Sequence, residues 1–88
     1  MKNKISVTPE TRIRARTNLW SARYGLTSRE ADVLANLALG ETVRQAAMTL
    51  GISERTLQKH VEHVLRKTGD RQLLGAVNRL LREVLAAG

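Results

Sequence analysis

The 88-residue chain contains no cysteine. That absence excludes disulfide scaffolds, zinc fingers with thiolate ligands and cysteine nucleophiles together. Aromatic rings are almost as scarce, since Trp20 and Tyr24 stand without a single phenylalanine. A platform that holds single strands by stacking their bases needs several rings, so RNA-recognition and OB-type readings are poorly supported. No apolar run approaches the length that spans a bilayer, and Met1-Lys2-Asn3-Lys4 leads into no apolar signal core. A cytoplasmic protein with no membrane partner is therefore expected. Negative charge is short as well: 8 acidic side chains face 15 basic ones, a net +7 that suits a partner rich in phosphate.

What is present describes one small globular domain, with 42% hydrophobic residues and room for one modest core. The charge is unevenly spread. Residues 1–25 carry Lys2, Lys4, Arg12, Arg14, Arg16 and Arg23 against Glu10 alone, a net +5. Residues 26–88 carry nine basic and seven acidic side chains, a net of only +2. The chain thus divides into a basic N-terminal arm or short helix, 1–25, and a main domain, 26–88. Affinity for a phosphate-rich partner resting on +2 would be weak and salt-sensitive, so a dimer or the arm is expected to supplement it.

The pattern is helical throughout. Thr8-Pro9-Glu10 offers an N-cap, a proline at the first helical position and an acid in the first turn. Ile13, Trp20 and Tyr24 share a thin stripe that ends at Gly25, which predicts a marginal helix stabilised by docking of Trp20. Thr27-Ser28-Arg29-Glu30 fits a capping box before a helix whose apolar face is Val33, Leu34, Leu37 and Ala38, ending at Gly40. A second box, Thr42-Val43-Arg44-Gln45, opens a helix that buries Val43, Ala46, Ala47 and Leu50 and stops at Gly51. Small side chains at Ala46-Ala47 allow a close crossing, Ile52 can plug the corner, and Ser53 caps the next helix. Helix, tight glycine turn, helix is a helix-turn-helix.

The helix expected over 53–68 has two unlike sides. Leu57, Val61, Val64 and Leu65 form one apolar stripe. The other side carries Arg55, Gln58, Lys59, Glu62 and Arg66. Glutamine, lysine and glutamate match the edges of adenine, guanine and cytosine in the major groove, so Gln58, Lys59 and Glu62 are the candidate base readers. Glu62 either reads a cytosine amino group or pairs with Lys59 or Arg66 along the helix. Arg44, Arg55 and Arg66 are placed to grip the backbone.

After Thr68-Gly69, Asp70 is an expected cap for a last helix over 71–87. Its apolar surface is too wide for one core contact. Leu73, Val77, Leu80 and Val84 form one stripe, and Leu74, Leu81 and Leu85 form another beside it. The surplus predicts a homodimer through this helix, with Leu73, Val77, Leu80, Leu81 and Val84 as contacts. The competing reading has residues 1–25 covering the second stripe within one chain. Gly75 costs helix stability and is most easily tolerated where backbones approach closely.

Leu26-Thr27-Ser28-Arg29-Glu30 with Val33-Leu34, then Gly40, Ala47, Leu50-Gly51-Ile52-Ser53, Thr56, His60 and Lys67-x-Gly69, resembles the LuxR-type (GerE-like) DNA-binding domain of bacterial transcription regulators. The resemblance covers about residues 24 to 80. It implies an all-α fold: a four-helix LuxR-type helix-turn-helix domain, here with an additional N-terminal basic segment that is itself helical. It also implies that the third helix of that domain enters the major groove of double-stranded DNA and that the last forms a homodimer. By position, Gln58, Lys59 and Glu62 correspond to base readers, while Thr42, Thr56, His60 and Lys67 correspond to backbone contacts. Ala46 replaces a larger aliphatic, Thr68 and Asp70 replace Leu and Val, and Gln72-Leu73 replace Ser-Arg, which bears on the orientation of the last helix. A receiver or ligand-binding domain commonly precedes such a module, and the 25-residue lead is too short to be one. The chain reads either as a stand-alone regulator or as a fragment.

Other constellations are weaker. His60 and His63 could form a metal pair, but no third or fourth ligand is foreseeable, so neither a metal nor another cofactor is expected. Ser53, His60 and Asp70 make no credible nucleophilic triad in so small a helical domain, and no enzyme or small-molecule pocket is implied. The rival function is a helical protein-interaction module that docks a partner regulator or RNA polymerase through helix 71–87.

Overall fold

The computed structural model describes residues 8–87, and these form five helices: α1 (Pro9–Tyr24), α2 (Ser28–Ala38), α3 (Val43–Leu50), α4 (Glu54–Thr68) and α5 (Leu73–Ala87). The fold is all-α. Four of the starts follow from capping. Thr8, Thr27, Thr42 and Ser53 each accept a hydrogen bond from the backbone N–H three residues on. At Thr27 and Thr42 the box is complete, because Glu30 and Gln45 reach back to the cap residue's own N–H, both at 2.9 Å. Each such cap is worth about 1 kcal/mol.

The fifth start differs from expectation. Asp70 does not cap α5, because its carboxylate is drawn to Arg79, with Oδ2 at 2.8 Å from Nη2 and Oδ1 at 3.3 Å from Nε. The helix begins two residues later than the sequence suggests, with Ala76 N–H donating to the Gln72 carbonyl. A bidentate pair with an arginine outweighs a cap that water can replace.

The core has two adjoining parts. Ile13, Trp20, Leu26, Leu34, Ala35, Ala38, Val64, Leu80 and Val84 join α1, α2, α4 and α5. Val33, Leu37, Ala46, Ala47, Leu57 and Val61 join α2, α3 and α4. Helix α2 is shared by both, which is why so much of it is buried.

Helix α1 is integrated with this core rather than hanging from it. Trp20 is fully buried, packs edge-on to Tyr24 with ring centroids 5.3 Å apart, and donates its indole N–H to Glu83 at 2.8 Å. Arg79 stacks over Trp20 at 4.3 Å and donates to the Tyr24 hydroxyl at 2.8 Å, tying α5 to α1 and to the α4–α5 turn at once. The basic side chains of α1 serve the same seam. Arg12 donates to the Val84 carbonyl, Arg14 to the buried Asn36, and Arg16 and Arg23 face Glu83. These four are committed to internal partners and are not a free cationic arm for phosphate; Lys2 and Lys4 lie outside the described residues.

That seam also revises the reading of α5. Leu80 and Val84, expected at a dimer contact, are core residues because α1 covers them. Leu73, Val77 and Leu81 are half-buried against the same core. Leu74 and Leu85 are left at the surface, 68% and 75% exposed. Among the described residues nothing lies within 4 Å of a Cβ added at Gly75, so no close approach between them explains that glycine.

Candidate nucleic-acid interface

The joint between α3 and α4 determines what α4 presents. Gly51 takes up a left-handed conformation, φ 70°, that a side chain would strain. Its turn is closed by the Ile52 N–H on the Ala47 carbonyl at 3.0 Å. Ala46 and Ala47, 0% and 2% exposed, let α4 cross α3 closely, and Ile52 packs against the same cluster. Leu57, Val61 and Val64 then lock one side of α4 inward. The rotation of α4 is fixed by these three contacts, so its opposite side is presented in one orientation.

That opposite side is open. Gln58, Lys59, Glu62, Arg55 and Arg66 are all exposed, and no side chain among them makes a hydrogen bond or ion pair with another described residue. Glu62 in particular pairs with neither Lys59 nor Arg66, leaving its carboxylate available to an outside donor. The start of α3 flanks this side: Thr42 is exposed at its cap and Arg44 is exposed and unpaired among the described residues. Thr56 is exposed too, its hydroxyl 3.0 Å from that of Ser53.

Two of the expected backbone contacts are placed differently. Lys67 is not a free cation. Its ammonium donates to Glu30 Oε1 at 2.8 Å and to the Gly25 carbonyl at 3.2 Å, joining the end of α4 to the start of α2. Glu30 is 3% exposed. Burial alone would push its carboxyl up, but hydrogen bonds from Lys67 and the Thr27 backbone, with the nearby charges of Lys67 and His63, hold it below the ordinary carboxylate value. His60 is half-buried, and its Nδ1 is buried with no hydrogen-bond partner among the described residues, an arrangement that costs about 1–3 kcal/mol when left uncompensated.

The same region holds a residue that sequence reasoning missed. His60 and His63 are joined by Glu30 as a third donor, one atom from each lying within 4.8 Å of the others. Glu30 and His60 are separated by 30 positions in the chain, and the only local signal at Glu30 was its role in the capping box.

The family described as "Bacterial regulatory proteins, luxR family" matches residues 24–79. Similar curated proteins include the nitrate/nitrite response regulator protein NarP of Escherichia coli K12, 41% identical over 66% of this chain and 27% of that protein. The HTH-type transcriptional activator RamA of Corynebacterium glutamicum is 43% identical over 60% of this chain and 19% of its own length. The spore germination protein GerE of Bacillus subtilis is 37% identical over 65% of this chain and 77% of its length. The chain therefore spans roughly a quarter or less of the first two relatives. No solved structure matches it.

Proposed function

The chain belongs to the luxR family of bacterial regulatory proteins, and we propose that it reads double-stranded DNA for a transcription regulator by laying α4 in the major groove. The observation that supports this most strongly is the outer side of α4, where Gln58, Lys59 and Glu62 stand exposed and unpaired among the described residues on a helix whose rotation is fixed from behind. A side chain can discriminate bases only if it is not already satisfied and if its backbone cannot turn away. At 15 residues α4 is about 22 Å long and enters a groove about 12 Å wide end-first or along its axis.

In this reading Lys59 meets guanine acceptors, Gln58 meets adenine, and the unpaired Glu62 takes a cytosine amino group. Thr42, Arg44, Arg55, Thr56 and Arg66 hold the phosphates and set the register. Lys67 acts mainly by fixing α4 to α2. A second copy docks through the exposed face of α5, centred on Leu74, Leu81 and Leu85, to place two reading helices on a two-half-site operator. The modest charge of the main domain makes this second set of phosphate contacts necessary for useful affinity.

A titration across a library of related duplexes tests the division of labour. Lys59→Ala is expected to lose about 1–3 kcal/mol at particular base pairs and little elsewhere. Arg55→Ala is expected to weaken all duplexes alike and to reduce the salt slope by about 1. If Lys59→Ala lowered every affinity equally, its reading role would be wrong.

A further inference from the structure

One group of donors belongs neither to the core nor to the base-reading side. His60 and His63 lie one turn apart on α4 and face the carboxylate of Glu30 in the first turn of α2. We propose that Glu30, His60 and His63 form a binding site for a divalent first-row transition metal of the zinc class.

Three observations lead there. The first is the donor set itself. Two imidazoles and one carboxylate suit zinc, cobalt or nickel, whereas magnesium and calcium require a shell of oxygens. The second is unspent capacity. His60 Nδ1 is buried with no hydrogen-bond partner among the described residues. Glu30 accepts both of its hydrogen bonds through Oε1, from Lys67 and from the Thr27 backbone, while Oε2 faces His63 Nδ1 at 3.5 Å. The third is distance. Metal–ligand bonds of about 2.0–2.2 Å place neighbouring donors roughly 3.4 Å apart in a tetrahedral site. Donors already within 4.8 Å reach that spacing by small rotations of the two imidazole rings.

The surroundings define the kind of site. Lys67 holds Oε1 and so orients the carboxylate with Oε2 inward, as an outer-shell hydrogen bond does for a ligand. Its positive charge also opposes the incoming cation, which selects for metals that imidazole binds well. The His63 side chain is 41% exposed, so a fourth position opens to water and the metal has a path in. The site stands on these residues alone and does not depend on the DNA reading.

The test is a titration of the untagged full-length chain with zinc alone, followed by calorimetry, and with cobalt alone, followed by the visible d–d absorption. Saturable uptake of one ion per chain is expected, with no uptake of magnesium. His63→Ala should lower zinc affinity by more than about 100-fold, beyond the loss of an outer-shell partner, and leave the far-ultraviolet circular dichroism unchanged. His60→Ala should do the same. Glu30→Gln is a poorer probe because it also breaks the ion pair with Lys67. Failure of the wild-type chain to saturate with either metal, or equal binding by His63→Ala, would overturn the proposal.

Discussion

Glu30 and Lys67 lie 37 positions apart and meet at 2.8 Å, one nearly inaccessible and the other at the edge of the surface. Removing one member of a buried pair leaves the other's charge uncompensated, which costs about 3–5 kcal/mol in a closed interior. Lys67 is 28% exposed, so solvent recovers part of that cost and about 1–3 kcal/mol is expected for Lys67→Met. Urea unfolding of the two proteins measures it, as a shift of midpoint at constant slope. An unchanged midpoint would return Lys67 to the role of a free phosphate contact. The sequence made Glu30 legible as a capping residue because that role is local, spanning three positions. Its pairing with Lys67 and its approach to His60 and His63 were not legible, because they arise only when α2 and α4 pack.

At the scale of elements, what local chemistry decides could be read directly. Capping threonines and serine, glycine stops and the apolar side of α4 placed four of the five helices within a residue or so of where they lie. The start of α5 was misread because Asp70 had two possible uses, and the partner that won, Arg79, sits nine positions on. The placing of Leu80 and Val84 at a dimer contact differs from the structure for a related reason. Sequence periodicity identifies an apolar face but not which helix covers it, and α1 claims Leu80 and Val84 through Trp20 and Ile13. Truncating that tryptophan is therefore a test of α1. Trp20→Ala should destabilise the chain by about 3–5 kcal/mol, read by thermal unfolding. A loss below about 1 kcal/mol would mean that α1 contributes little to the folded core.

For the molecule as a whole, three carboxylates sit below their ordinary values. Asp70 is lowered by its hydrogen bonds to Arg79, Glu83 by the Trp20 indole and the nearby arginines, and Glu30 by Lys67 and the Thr27 backbone against the effect of burial. A group depressed in the folded state contributes stability that is present above its unfolded value and is lost as pH falls through the folded one. Stability should accordingly decline as pH drops below about 4.5, the ordinary value of a glutamate. Glu83 belongs to the seam where α1 meets α5, and Asp70 is tied to that seam through Arg79. The single tryptophan reports that seam, and its fluorescence should redden along with the loss of helical circular dichroism. A midpoint of urea unfolding that stayed constant down to pH 3 would contradict these couplings.

The central claim concerns the exposed side of α4, and selection of bound duplexes from a random DNA pool tests it most directly. The wild-type chain should enrich a defined motif, with two half-sites if α5 pairs two copies. A variant carrying Gln58→Ala, Lys59→Ala and Glu62→Ala, all at exposed and unpaired positions, should keep the wild-type melting temperature and enrich no motif. Enrichment of the same motif by both proteins would show that the sequence is read elsewhere and that α4 is not the reading helix.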